Sequence, residues 1–123
     1  MIKGLHHVGF EVKDLEDSIK YYESLGFSVV KRFEYEAAGF KAAMMKGKQL
    51  GGVELFQLND PEHELARKVR RHIAFETDNL DTDLQKFLDE GYKLSIPITE
   101  GRVVKRYAYV QDKFNNFIEL LEQ

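Results

Sequence analysis

Four side chains have types and spacing suited to chemistry: His7, Glu54, His72 and Glu119. They form two pairs under one offset, since His72 lies 65 residues after His7 and Glu119 lies 65 after Glu54. Imidazole nitrogens and carboxylate oxygens together suit a hard-to-borderline divalent ion such as Zn, Ni, Co, Mn or Fe. Gly9 and Ala74 each follow their His by two. Residues that small would leave space beside an ion for water or substrate, as an open catalytic site requires. Taken singly, a strand His is more often a hydrogen-bonded structural residue, and an outward-facing Glu is normally solvated. Joint placement at equivalent positions is what marks the four.

The elements that must position them repeat as well. HHVGFEVKDLEDSIKYYESLGF, from His6, returns as HIAFETDNLDTDLQKFLDEGY, from His72. Of the 21 ungapped positions from His7 to Phe27, five are identical, including Phe10 with Phe75, Glu11 with Glu76 and Gly26 with Gly91. VELF and IELL share the same offset, which makes the duplication more than one chance likeness. Residues 5–12 read as a strand whose Val8, Phe10 and Val12 face a helix, leaving His7, Gly9 and Glu11 on the other face. Asp14 is placed to cap a helix over 14–25, with Gly26 to stop it. Strands follow at 27–36, 40–46 and 52–58, the last two joined by a Gly- and Lys-rich hairpin loop. Residues 59–71 read as a polar linker carrying a helical turn. The pattern then restarts with a strand at 71–77 and a helix at 80–90. Residues 92–101 contain Pro97 and predict an edge strand or a loop. Strands at 103–110 and 117–123 complete the chain. The expectation is one domain over 1–123 with modules 5–58 and 71–122, an α+β fold of two βαβββ units. All four candidate residues then point away from the helices.

Composition excludes several function classes. The net charge of −3 is unlike the basic excess of a general nucleic-acid binder. There is no Cys, so thiolate ligands, disulfides and a Cys nucleophile are impossible. No apolar run is long enough for a membrane span and MIKGLHH lacks a signal-peptide core, so the default expectation is a cytoplasmic protein.

The motifs HVGFEVKDL, VELF, HIAFETDNL and DKFNNFIEL, in this element order, resemble the vicinal-oxygen-chelate superfamily across essentially the whole chain. That superfamily includes glyoxalase I, methylmalonyl-CoA epimerase, extradiol dioxygenases, fosfomycin-resistance proteins and bleomycin-binding proteins. The resemblance implies curved mixed sheets around a metal-binding cavity, a small-molecule substrate and a homodimer, whose sites are completed in some members within one chain and in others across the dimer. It places the metal ligands on His7, Glu54, His72 and Glu119. A His-Glu-His-Glu set looks most like glyoxalase I, the lactoylglutathione lyase; epimerases commonly carry Gln at the position of Glu54. The implied cofactor is a divalent ion (Zn, Ni, Co or Mn). The implied reaction isomerises an α-oxoaldehyde–thiol hemithioacetal through an enediolate, with Glu119 and Glu54 as candidate catalytic bases.

Two departures bear on the substrate. Glutathione-using members have an Arg where this chain has Glu11, which would repel the thiol's carboxylates. The Asn that follows their second ligand is missing, with only Gln57 and Asn59 nearby. Arg67, Lys68, Arg70, Arg71, Arg102, Lys105 and Arg106 are replacement handles or, more simply, solvated surface. His6 and His63 read as incidental. The alternatives are an epimerase acting α to an acyl-CoA-type carbonyl and a non-catalytic small-molecule-binding or resistance protein.

Overall fold

The computed structural model describes all of residues 1–123 and has a mixed α+β fold of eight strands and three helices. By internal contacts it divides into two compact units, one of His7–Arg71 and one of Met1–His6 with His72–Gln123. The strands are β1 (Ile2–Glu11), β2 (Phe27–Tyr35), β3 (Phe40–Gly47), β4 (Gly51–Leu58), β5 (Arg71–Thr77), β6 (Lys93–Glu100), β7 (Arg106–Gln111) and β8 (Phe117–Glu122). The helices are α1 (Leu15–Ser24), α2 (Glu64–Val69) and α3 (Leu80–Asp89).

In the His7–Arg71 unit the strand order is β2-β3-β4-β1, with β1 parallel to β4 and the other neighbours antiparallel. α1 lies over β2, β3 and β4. Leu15 and Ile19 from the helix meet Ala43, Met45, Val53 and Leu55 from the strands, with Phe10 and Val12 packed at the margin. In the other unit the order is β5-β8-β7-β6, with β5 parallel to β8. α3 lies over β7 and β8, and Leu80 and Leu84 meet Ala108, Val110 and Leu120.

α1 and α3 begin in the same way. Asp14 Oδ1 accepts from the Asp17 amide at 3.0 Å, and Asn79 Oδ1 accepts from the Thr82 amide at 3.1 Å. The first helical amide is held by a side chain from the last strand of its own unit. Leu15 donates to Gln57 Oε1 and Leu80 donates to Glu122 Oε1, both at 2.8 Å. Two of the four orphan donors at each N-terminus are thereby satisfied. Cap, first residue and acceptor all recur 65 residues on. Gly26 and Gly91 stop the helices at φ 106° and 98°, a region that disfavours a side chain.

Several sequence expectations need correction. Val8 does not join the helix-facing core: it and its equivalent Ile73 are each 37% exposed. The reason is that α1 and α3 cross the returning strands of their units, so only Phe10, Val12 and Phe75 of the predicted faces reach a core cluster. β1 begins at Ile2, before the predicted start, and β7 begins at Arg106 rather than 103. The Gly101 amide donates to the Lys105 carbonyl at 3.0 Å, closing a turn where Val103 and Val104 suggested strand. The linker carries a six-residue helix, α2, capped by His63, whose Nδ1 accepts from the Leu65 amide at 3.1 Å. Residues 93–100 form an edge strand, with the register slipping between Ile96 and Thr99, around Pro97.

Two outcomes test these contacts. Asn79→Ala should lower stability by about 1 kcal/mol in urea unfolding, the usual worth of a helix cap. Glu122 is held below the ordinary carboxylate range by the Arg106 guanidinium and then by the Leu80 amide. A lowered folded-state value gives stability that is present above the unfolded value and lost as pH falls through the folded one. Glu122→Gln, which keeps the amide's acceptor as Gln57 does, should therefore be less stable than wild type near pH 7. The difference should shrink in urea midpoints as the pH is lowered below the ordinary carboxylate range.

Candidate metal centre

Strand pairing determines which residues share a face with the candidate ligands. In the His7–Arg71 unit, β1 and β4 run parallel with Gly9 opposite Glu54. On the other side of β4, Met44 stands opposite Glu54. The other unit repeats the arrangement, with Ala74 and Tyr109 on either side of Glu119. Each Glu thus lies beside a residue with little or no side chain, on the face turned away from its helix.

Each His reaches its own Glu. His7 Nε2 is 3.4 Å from Glu54 Oε1, and His72 Nε2 is 3.5 Å from Glu119 Oε2. All four are buried, His7 at 1%, Glu54 and His72 at 7% and Glu119 at 6% exposure. These separations exceed a charge-assisted hydrogen bond, which runs about 2.7–2.9 Å. They leave room for both atoms to bind one ion, since bonds of about 2.1 Å allow separations of up to ~4.2 Å. The donor set also fits. Within each unit a buried imidazole and carboxylate are donors suited to a divalent ion, His7 with Glu54 and His72 with Glu119.

Other acids on these faces are already engaged. Glu11 accepts from Arg70 Nη2 at 3.0 Å, and Glu76 meets Lys3 Nζ at 2.9 Å. The repulsion expected of Glu11 is therefore compensated inside its unit. Among the basic candidates, Arg70 is tied to Glu11, Arg106 to Glu122 and Asp81, and Lys68 to Glu64. Arg67, Arg71, Arg102 and Lys105 are exposed. His6 is buried, with its Nε2 2.5 Å from Gln123 Nε2.

Sequence reading missed Tyr109. Its hydroxyl lies 3.3 Å from His72 Nε2 and its ring meets the His72 ring edge-on, with centroids 5.2 Å apart. Tyr109 lies 65 residues after Met44, but that Met44 neighbours Glu54 is set by the β3–β4 register and not by the sequence. The Met44 side chain carries no hydroxyl, so a search for like residues passes over the pair.

Residues 4–120 match the family model of the Glyoxalase/Bleomycin resistance protein/Dioxygenase superfamily. An uncharacterized protein of Bacillus subtilis, YwkD, is 28% identical over 129 residues, covering all of this chain and 99% of that protein. The lactoylglutathione lyase of Schizosaccharomyces pombe is 27% identical over 135 residues, covering 96% of this chain; the chain spans only 44% of that enzyme. The crystal structure of methylmalonyl-CoA epimerase from Mycobacterium tuberculosis superposes with a TM-score of 0.81 at 23% identity, covering 98% of this chain and 88% of that one. At that identity the likeness is one of fold.

A ligand set of this kind should couple metal binding to stability. Free Zn or Ni at 100 times its dissociation constant should stabilise the protein by about 2.7 kcal/mol. In thermal melts His72→Ala should show no metal-dependent shift.

Proposed function

The chain belongs to the Glyoxalase/Bleomycin resistance protein/Dioxygenase superfamily, and we propose that within it the protein is a metal-dependent, glyoxalase I-like lyase. Its substrate is the hemithioacetal of an α-oxoaldehyde and a thiol, isomerised through an enediolate. His7, Glu54, His72 and Glu119 hold one divalent ion. One observation carries the reading: each unit buries a carboxylate beside a His Nε2, at 3.4 Å and 3.5 Å. Both Glu54 and Glu119 are therefore available as bases, where a single-base site would need only one.

A divalent ion bound there would polarise the two adjacent substrate oxygens and so acidify the C–H bond between them. The chain's own part is proton transfer. Glu119 or Glu54 takes the proton from one carbon and returns it to the neighbouring carbon, while the hydroxyl proton of the hemithioacetal passes to the neighbouring oxygen, so the product is an isomer. Gly9 and Ala74, opposite the two carboxylates, keep space for the reacting carbons. The burial of both acids excludes water from the proton while the carboxylate carries it.

A second reading is epimerisation α to an acyl-CoA-type carbonyl, which needs the same proton transfer. It is favoured by the state of Glu11 and Arg70: they are bound to each other, so this part of β1 offers no free cation for the carboxylates of glutathione. A ligand-sequestering protein would need neither base.

The deciding experiment assays methylglyoxal with several thiols alongside deuterium exchange α to a CoA thioester. Turnover of a hemithioacetal is expected, with Glu119→Gln lowering kcat by roughly 10²- to 10⁴-fold. Exchange on the thioester without methylglyoxal turnover replaces the lyase by the epimerase. Neither activity, with ligand binding intact in His72→Ala, rejects both enzymes.

A further inference from the structure

The face of the His7–Arg71 unit turned away from α1 carries more than its two candidate ligands. Strand register sets its side chains in rows. Glu54 on β4 stands opposite Met44 on β3, and Met44 opposite Lys31 on β2. One row away, His7 on β1 stands opposite Gly52, Gly52 opposite Lys46, and Lys46 opposite Ser28. Each lysine is thus two strands from a candidate ligand, about 10 Å between backbones at the usual strand spacing. Lys46 is half-buried and Lys31 exposed, and Gly52 puts no side chain between Lys46 and His7. Arg32, next in the chain, lies on the other face, where its Nη1 meets Glu16 of α1 at 2.6 Å. The second unit lacks the arrangement. Its row through Glu119 continues to Tyr109 and Ile96, so an isoleucine stands in the place of Lys31. Gln111 replaces Lys46 and Phe117 replaces Gly52, while Lys93 lies one strand farther out, on the edge. The fold itself therefore asks for no ammonium at positions 31 and 46.

We infer that Lys46 and Lys31 form an anion subsite that holds a carboxylate on the thiol arm of the substrate. The inference rests on the function proposed above and names the class of thiol, one that is short and acidic. A thiol that reacts beside Glu54 and bears a carboxylate a few bonds from its sulfur spans the distance to the lysines. The phosphates of coenzyme A stand at the end of the long pantetheine arm, beyond that reach. An ammonium has three donors on a flexible four-carbon stem, so a partner within the unit does not close it to a ligand oxygen. Both ammoniums attract an anion set between them, and more strongly where burial around Lys46 lowers the local dielectric. An arm so placed runs from β4 toward β2. It leads away from Glu11, which stands on β1 opposite Phe56.

The test uses the full-length protein and two thiols that differ in one group, N-acetylcysteinylglycine and its C-terminal amide. Their S-methyl thioethers are inert probes for calorimetry, and their methylglyoxal hemithioacetals are assayed with zinc, nickel, cobalt or manganese supplied. Wild type should bind the acid thioether roughly 10-fold more tightly than the amide, the low end for a hydrogen bond to a charged group. The acid hemithioacetal should be favoured in kcat/KM by a similar factor, carried by KM. Both preferences should shrink in Lys46→Gln and disappear when Lys31→Gln is added. Gln is the side chain that the second unit carries in the place of Lys46, so the fold accepts it. Hemithioacetal turnover without preference for the acid overturns the inference and leaves the proposed function standing. A preference that survives the double substitution also overturns it, because the carboxylate is then read elsewhere. A thioether preference that the substitutions abolish, with no hemithioacetal turned over under any metal, keeps the subsite and overturns the lyase. Neither preference nor turnover overturns both.

Discussion

A carboxylate withdrawn from water must meet a cation or several donors, or it gives up its charge. Glu54 and Glu119 are both withdrawn, and within each unit the strand pairing sets a histidine Nε2 close to the acid. The neighbouring structure follows from that constraint. The first strand must run parallel to the last so that a small residue, Gly9 or Ala74, comes opposite the Glu. Parallel pairing in turn requires a crossover, which α1 and α3 provide. The helices cover the far face, where alternate residues build the cores. Site and core are thus the two sides of the same strands.

The remaining acids show the ordinary treatment of charge. Glu11, Glu76 and Glu122 are each met by a basic side chain at close to 3 Å, and all three retain some contact with solvent. Surface-type pairs of this kind contribute little individually. Glu122 does more, because the same carboxylate holds the first amide of α3. Its counterpart Gln57 does this for α1 without a charge, so the cap is the shared feature and the ion pair an addition.

The two units preserve scaffold and diverge in detail. Asp14 and Asn79 cap by the same bond, and Gly26 and Gly91 end the helices in the same backbone region. Beside the buried acids the side chains differ, Met44 in one unit and Tyr109 in the other. Positions under a shared geometric demand keep their chemistry. Positions asked only to fill volume are free to acquire a polar group, and asymmetry within a two-fold repeated scaffold can arise there.

The sequence alone determined the periodic elements, because alternation, caps and terminal glycines act over a few residues. It marked His7, Glu54, His72 and Glu119 through the 65-residue offset, and it put Pro97 in an edge strand or a loop, between which the sheet order chose the edge. Tertiary structure alone decided where each helix crosses its sheet, and hence that Val8 and Ile73 lie outside the cores. Pattern along one strand cannot carry that information, because it depends on which strands a helix spans. The partners of Glu11 and Glu76 were hidden for the same reason: Arg70 and Lys3 are remote in sequence and come close only through strand order. Tyr109 beside His72 is the clearest case. Its residue type is unremarkable in a β-rich run, and only the register of β7 against β8 sets its hydroxyl beside a candidate ligand.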